Sequence, residues 1–202
     1  MINPLNRQIR VLSSRYGFRT HPTSGKVNSF HNGVDIPTYI RTPLFARAPG
    51  KVVVSRANRG NPATGYGYYM VIAYDGYCIL YAHLDKLGLP VGTPVKEDDL
   101  IGYTGNTGNS TGPHLHMEIR VGKYDYNFFS KNADGRYLSS VDPETFVPPS
   151  KLEKWQQLII SKMDQPAEWL ELIKHLTAAG QVNNTIAKFF PEFIEKLGGK
   201  DA

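Results

Sequence analysis

Two runs of strand-forming residues, Tyr68 to Tyr74 and Tyr77 to His83, flank the dipeptide Asp75-Gly76. An Asp-Gly pair between two such runs is a strong short-range signal for a β-hairpin, because glycine accepts the positive φ that a two-residue turn demands. That commits this part of the chain to antiparallel pairing. If Tyr74 pairs with Tyr77, the sum of paired positions stays constant and Tyr68 falls opposite His83. Side chains alternate faces along a strand. Tyr77, Ile79, Tyr81 and His83 are therefore expected on one face with Tyr68, Met70 and Ile72. Cys78, Leu80 and Ala82 are expected on the other.

The same reading extends to the flanking sequence. Lys51 to Ser55 is a short Val-rich strand. His114 to Val121 alternates cleanly. Leu115, Met117, Ile119 and Val121 form an apolar face. His114, His116, Glu118 and Arg120 form a polar one, expected to open onto solvent or a cleft. The 19 glycines, 14 prolines and 12 tyrosines fit short strands joined by many turns. Beyond Pro148-Pro149 the pattern changes. Leu152, Trp155, Leu158, Ile159 and Met163 recur at helical spacing, as do Leu170, Ile173 and Leu176, and a third segment around Ile186 to Leu197 is broken by Pro191. The fold class expected is mainly β: an antiparallel β-sheet domain over 1–148, followed by a small α-helical C-terminal segment over 149–202. The tail helices are amphipathic, which fits packing or contact with a partner.

Bulk properties exclude several functions. Net charge is +5, with no dense Lys/Arg run, so nucleic acid is not an expected partner. A mildly basic chain is favoured near an anionic polymer such as a bacterial cell wall. The single cysteine, Cys78, rules out a disulfide framework within the chain and any zinc site built on cysteine pairs. It lies in an apolar run and reads as a small buried hydrophobe. No stretch approaches the ~20 apolar residues of a membrane span, and the first residues lack the apolar core of a secretion leader. The expectation is a chain made in soluble form and delivered to any site outside the cell by other means.

The chemistry-bearing residues are His31, Asp35, His83, His114 and His116, which include four of the six histidines. On a strand, His114-Leu115-His116 places both imidazoles on one face, roughly 7 Å apart at Cα. His31 and Asp35 are four apart around Gly33, in a tight bend. Imidazole and carboxylate are the ligands zinc prefers where thiolates are absent, and three protein ligands leave a position for water. Each residue alone has an ordinary reading: a surface or structural histidine, a turn aspartate. Their joint occurrence is the signal. No glutamate stands at the spacing of a helix-borne His-Glu-x-x-His motif. Glu118 is expected to contact the neighbours of Arg120 or solvent. The Gly102 to Gly112 loop lacks the Gly-Lys-Ser/Thr ending of a phosphate loop and reads as a groove wall.

Four stretches resemble the M23 metallopeptidases, the lysostaphin-like group of cell-wall endopeptidases. They are Ser14-Arg15-Tyr16-Gly17-Phe18-Arg19-Thr20-His21-Pro22; His31-Asn32-Gly33-Val34-Asp35-Ile36-Pro37; Leu80-Tyr81-Ala82-His83-Leu84; and Ile101 to Gly108 with Ser110-Thr111-Gly112-Pro113-His114-Leu115-His116-Met117-Glu118-Ile119-Arg120. With Val141-Asp142-Pro143, which resembles the family's closing segment, the match covers about Ser13 to Pro148. The resemblance implies a lysostaphin-like antiparallel β domain with a groove. It implies one Zn²⁺ on His31, Asp35 and His116, with His83 and His114 as catalytic histidines beside it. Tyr68, from the hairpin register, and Arg19, from the loop before the first ligand, are candidate substrate-binding residues. Peptidoglycan is the implied substrate, cleaved in the stem peptide or cross-bridge. A phage lysin with holin-type release from the host cytoplasm, or a virion-associated enzyme with a virion or tail-bound partner, is the setting that a chain without a leader suggests. The alternatives are a catalytically silent wall-binding or amidase-activating protein, and a structural virion component with an accessory peptidase domain. The five intact positions speak against silence.

Overall fold

The computed structural model describes residues 2–5, 11–20, 25–125 and 127–148. The strands are β1 (Gly17–Arg19), β2 (Ser29–His31), β3 (Val34–Pro37), β4 (Pro43–Phe45), β5 (Gly50–Ala57), β6 (Tyr68–Tyr74), β7 (Tyr77–Leu84), β8 (Pro94–Val95), β9 (Leu100–Tyr103), β10 (His114–Val121) and β11 (Ser140–Val141). Met1–Glu144 make up one compact unit. The helices expected beyond Pro149 lie outside the described residues, as does His21. Among the described residues no helix is long and apolar enough to cross a membrane.

A seven-stranded antiparallel sheet forms the core, in the order β11-β10-β7-β6-β5-β8, with β3 also paired to β10. The strand β10 is its pivot. One edge pairs with β7 from His116 to Val121. Its other edge takes β3 along His114–Met117 and β11 at Ile119 and Arg120. One face of the sheet carries Val54, Tyr69, Val71, Cys78, Leu80 and Ala82, which cluster with Phe128. The opposite face carries Val52, Met70, Ile72, Ile79, Tyr81, Met117 and Ile119, all buried. Both faces are therefore covered, and ~25 cal/mol per Å² of apolar surface removed from water drives that closure.

The β6–β7 hairpin turns at Gly76, where φ is 76°. Its register follows the expected constant sum from Tyr74↔Tyr77 as far as Met70↔Tyr81. It then shifts, so that Tyr68 pairs with Leu84 and not with His83. Ala82 and His83 stand against Tyr69 alone, which is a β-bulge. His83 takes the extra residue in the left-handed region, at φ 58°, and its N–H donates to Tyr66 O at 2.9 Å. The polar face of β10 also departs from expectation. Glu118 and Arg120 are each only 1% exposed. The chain after β10 returns over them, and the Arg120 guanidinium sits 3.7 Å from the Tyr137 ring centre and 4.2 Å from that of Phe128.

Candidate metal centre

Register alone brings two of the candidate ligands together. Asp35 on β3 is the direct cross-strand partner of His116 on β10, and paired residues point to the same side of a sheet. Gly33 permits the close approach. A Cβ there would overlap the Met117 carbonyl and press on the Glu118 side chain. The short connection through Asn32 and Gly33 then turns His31, at the end of β2, onto the same point. Asn32 anchors the bend: its Oδ1 accepts from Tyr137 N at 2.7 Å and from Ser140 Oγ at 3.3 Å.

Three ligating atoms form a small triangle. His31 Nε2 to His116 Nδ1 is 3.1 Å, His31 Nε2 to Asp35 Oδ1 is 3.2 Å, and His116 Nδ1 to Asp35 Oδ1 is 2.8 Å. A tetrahedron with bonds of ~2.0–2.1 Å to its centre has edges of about 3.3 Å, so the triangle is close to the size of one face of a zinc site. All three residues are buried. The electrostatics agree that a positive centre belongs there. Burial pushes the Asp35 carboxyl up, but hydrogen bonds from His116 and then His31 hold it far below the usual carboxylate range. Burial opposes charge on His116, and the Asp35 and Glu118 carboxylates outweigh it, raising the ring to about 9. Burial, reinforced by the neighbouring His116, lowers His31. Without a cation, the raised His116 ring keeps a proton on Nδ1 facing Asp35 Oδ1. A divalent metal with nitrogen and oxygen ligands would take its place.

His83 and His114 flank this triangle. Their ring centres are 4.7 Å apart, and His83 is 5.8 Å from the ring of His116. Strict alternation would have sent His83 to the face opposite His116, because His116 pairs with Ala82. The bulge is what turns it into the cleft. Backbone carbonyls fix both rings: His83 Nδ1 donates to Thr107 O at 2.6 Å, and His114 Nδ1 donates to Gly112 O at 2.7 Å. In each, Nε2 is left for other work, and in His114 it lies 3.7 Å from Asp35 Oδ1. Burial, with the neighbouring His116 and His114, lowers His83 to about 3, so its ring is uncharged at neutral pH.

The five residues open onto a cleft of about 700 Å³. Arg19 lines it, donating to Ser14 Oγ at 2.6 Å and to Asp35 Oδ2 at 3.3 Å. Asn109 and Thr111, from the Gly102 to Gly112 loop, line it as the groove wall expected there. Tyr68 does not line it; its N–H donates to Thr107 Oγ1 at 3.0 Å. Tyr66 does line it, and its hydroxyl donates to Glu118 Oε1 at 2.6 Å. Sequence reasoning passed over Tyr66, although an aromatic set between Gly65 and Gly67 just ahead of a strand was the available signal. Cys78 is buried, and its thiol is raised to about 11 by that burial, in keeping with a packing role.

Residues 29–128 match Peptidase family M23. The chain carries an M23 peptidase domain. Over 120 residues it is 38% identical to the peptidoglycan DD-endopeptidase ShyB of Vibrio cholerae, a match covering 58% of this chain and 27% of that one. A zinc-containing peptidase from Vibrio cholerae shares the fold at a TM-score of 0.55 and 33% identity, covering 72% of this chain and 39% of that one. The catalytic domain of lysostaphin, the antimicrobial peptidase of Staphylococcus simulans, follows at a TM-score of 0.53 and 28% identity, covering 66% of this chain and 89% of that domain. The lysostaphin-like β architecture of the M23 domain is thus borne out. The chain spans about a quarter to a third of the length of the curated relatives it matches.

Proposed function

We propose that the chain is a zinc endopeptidase that hydrolyses amide bonds in the peptides of bacterial peptidoglycan, with His31, Asp35 and His116 as metal ligands and His83 and His114 as catalytic residues. The observation that carries this reading is the convergence of three buried donors within 4.8 Å of one another, at the floor of a cleft that two further histidines flank. Family membership supports the peptidase chemistry. The peptidoglycan DD-endopeptidases among the relatives support the substrate, and they favour a bond between two D-residues.

When bound, zinc supplies a Lewis acid and lowers the pKa of its water to roughly 7. The chain's own groups do the rest. His83 is uncharged, with its Nδ1 proton committed to Thr107, so its Nε2 can take a proton from the attacking water. His114, held by Gly112 O, presents Nε2 on the same side and, once that nitrogen has taken up a proton of its own, can donate it to the developing oxyanion or the departing amine. The two histidines can also exchange these duties. Arg19 braces the outer oxygen of Asp35 and borders the path of the substrate.

The deciding experiment incubates purified peptidoglycan of several chemotypes with the zinc-loaded protein and identifies the new amine termini by mass spectrometry. Zinc bound without any new amine would remove the enzymatic reading and leave the silent wall-binding or amidase-activating one. The finer setting, a phage lysin or virion-carried enzyme, is tested by looking for the protein in purified particles.

A further inference from the structure

The face of β10 holds a buried chain of charges leading away from the proposed metal. His116 Nε2 lies 3.0 Å from Glu118 Oε1, on the side of the ring away from Asp35. The same Oε1 accepts from the Tyr66 hydroxyl at 2.6 Å. The other oxygen, Oε2, accepts from Arg120 Nε at 3.1 Å and also from Arg120 Nη2. Arg120 in turn donates to Phe128 O and is boxed by the rings of Phe128, Phe129 and Tyr137. Glu118 is among the residues that line the cleft and Arg120 is not, and both are nearly inaccessible.

An ionised carboxylate only accepts hydrogen bonds. Glu118 can face His116 at 3.0 Å only if Nε2 carries a proton. In a singly protonated ring the lone pair then lies on Nδ1, the atom at the corner of the metal triangle. His31 is wired the opposite way: its Nδ1 donates to Arg15 O at 2.7 Å and its Nε2 points into the triangle. A backbone carbonyl sets one tautomer and a buried glutamate sets the other. Arg120 alone would have satisfied Oε2; the direction of Oε1 is explained only by His116 and Tyr66.

Building on the zinc reading above, we infer that Glu118 is a positioning residue: held by Arg120 and Tyr66, it fixes His116 as the Nε2–H tautomer and so presents Nδ1 to the metal. Outer carboxylates of this kind raise the basicity of a ligating histidine, and losing one typically weakens metal binding 10–100-fold.

The test uses the full chain with ¹⁵N-labelled histidine. In the zinc-loaded wild type, His116 is expected to show the Nε2–H tautomer and a metal-bound Nδ1, while His31 shows the reverse. Glu118→Gln is expected to keep one zinc per chain but to bind it 10–100-fold more weakly in chelator competition. Removing one partner of a buried ion pair strands the other. Should Glu118→Gln fail to fold, Glu118→Gln/Arg120→Met removes the stranded cation, and the same loss of affinity is expected. An Nδ1–H tautomer at His116 in the wild type overturns the inference, as does a folded variant whose zinc affinity stays within about twofold of wild type, against the 10–100-fold expected. In both cases a wild type that binds zinc and cuts peptidoglycan leaves the proposed function standing. A wild type that takes up no zinc removes both.

Discussion

At the scale of single residues, the histidines of the cleft differ in what their loss should do. His31 and His116 supply two corners of the triangle, so His31→Ala or His116→Ala is expected to abolish stoichiometric zinc, measured by metal analysis after dialysis. His83→Ala and His114→Ala remove groups beside the triangle. They are expected to retain zinc while losing a factor of ~10²–10⁴ in hydrolysis rate, the usual worth of a general acid or base. A zinc-free His83→Ala protein would contradict this division of labour. Glu118 carries a separate prediction about stability. Burial pushes its carboxyl up, but Arg120 and then His116 overcome that and hold it at about 2, below the ordinary 4.5. A carboxylate depressed on folding adds stability that is fully present above its unfolded pKa and is lost as pH falls through its folded one. In metal-free protein, the stability advantage of wild type over Glu118→Gln is therefore expected to be greatest near pH 5–6, to shrink between 4.5 and 2 as Glu118 is protonated, and to shrink also from 6.5 towards 9 as His116 loses the proton that Glu118 helps it hold. Urea unfolding of both proteins across that range measures it.

At the scale of elements, the site depends on how closely β3 lies against β10. Gly33 has no room for a methyl group, since a Cβ would collide with the Met117 carbonyl, a backbone atom that cannot rotate away. Gly33→Ala is expected to cost about 1–3 kcal/mol, as forced overpacking does, and to weaken zinc binding by parting Asp35 from His116. An unchanged urea midpoint would mean that the two strands adjust more freely than their pairing suggests. The extents of β6 and β10 were legible because their alternation and the Asp75-Gly76 turn are local signals. The bulge in β7 was not. A bulge with a left-handed residue is announced in sequence when that residue is glycine, but here it is His83, set among Tyr81, Ala82 and Leu84 with no glycine in the run. Counting register thus misplaced Tyr68 opposite His83. The hairpin reading that brought His83 into the candidate site missed the bulge, which is what sets its ring beside those of His114 and His116.

At the scale of the whole domain, the proposed ligand set was legible through the stretches that resemble the M23 family, since the spacings alone left open which of the five residues would hold a metal. The roof over β10 was not, because Phe128, Phe129 and Tyr137 follow no period and belong to a stretch whose only strand among the described residues is the two-residue β11. That roof makes the polar face of β10 a buried network in place of an open one, and it ties the metal triangle to the fold on two sides. Asn32, beside His31, holds Tyr137 and Ser140. Arg120, through Glu118, holds His116. The three proposed ligands, drawn from β2, β3 and β10, come together only when the chain is folded, so an unfolded chain has no such site. Binding to the native state alone stabilises it by RT ln(1 + [L]/Kd), about 2.7 kcal/mol at a free zinc concentration 100 times Kd. For a domain of this size, each kcal/mol moves the midpoint by about 2–4 °C. Zinc buffered at that level should therefore raise the thermal midpoint of the wild type by about 5–11 °C over the chelated protein, with each further tenfold in zinc adding a constant increment. His31→Ala should show no such dependence, while His83→Ala should follow the wild type, since its loss leaves all three ligands in place. A midpoint that ignores zinc in the wild type would mean that the triangle is held by the proton on His116 and takes no metal.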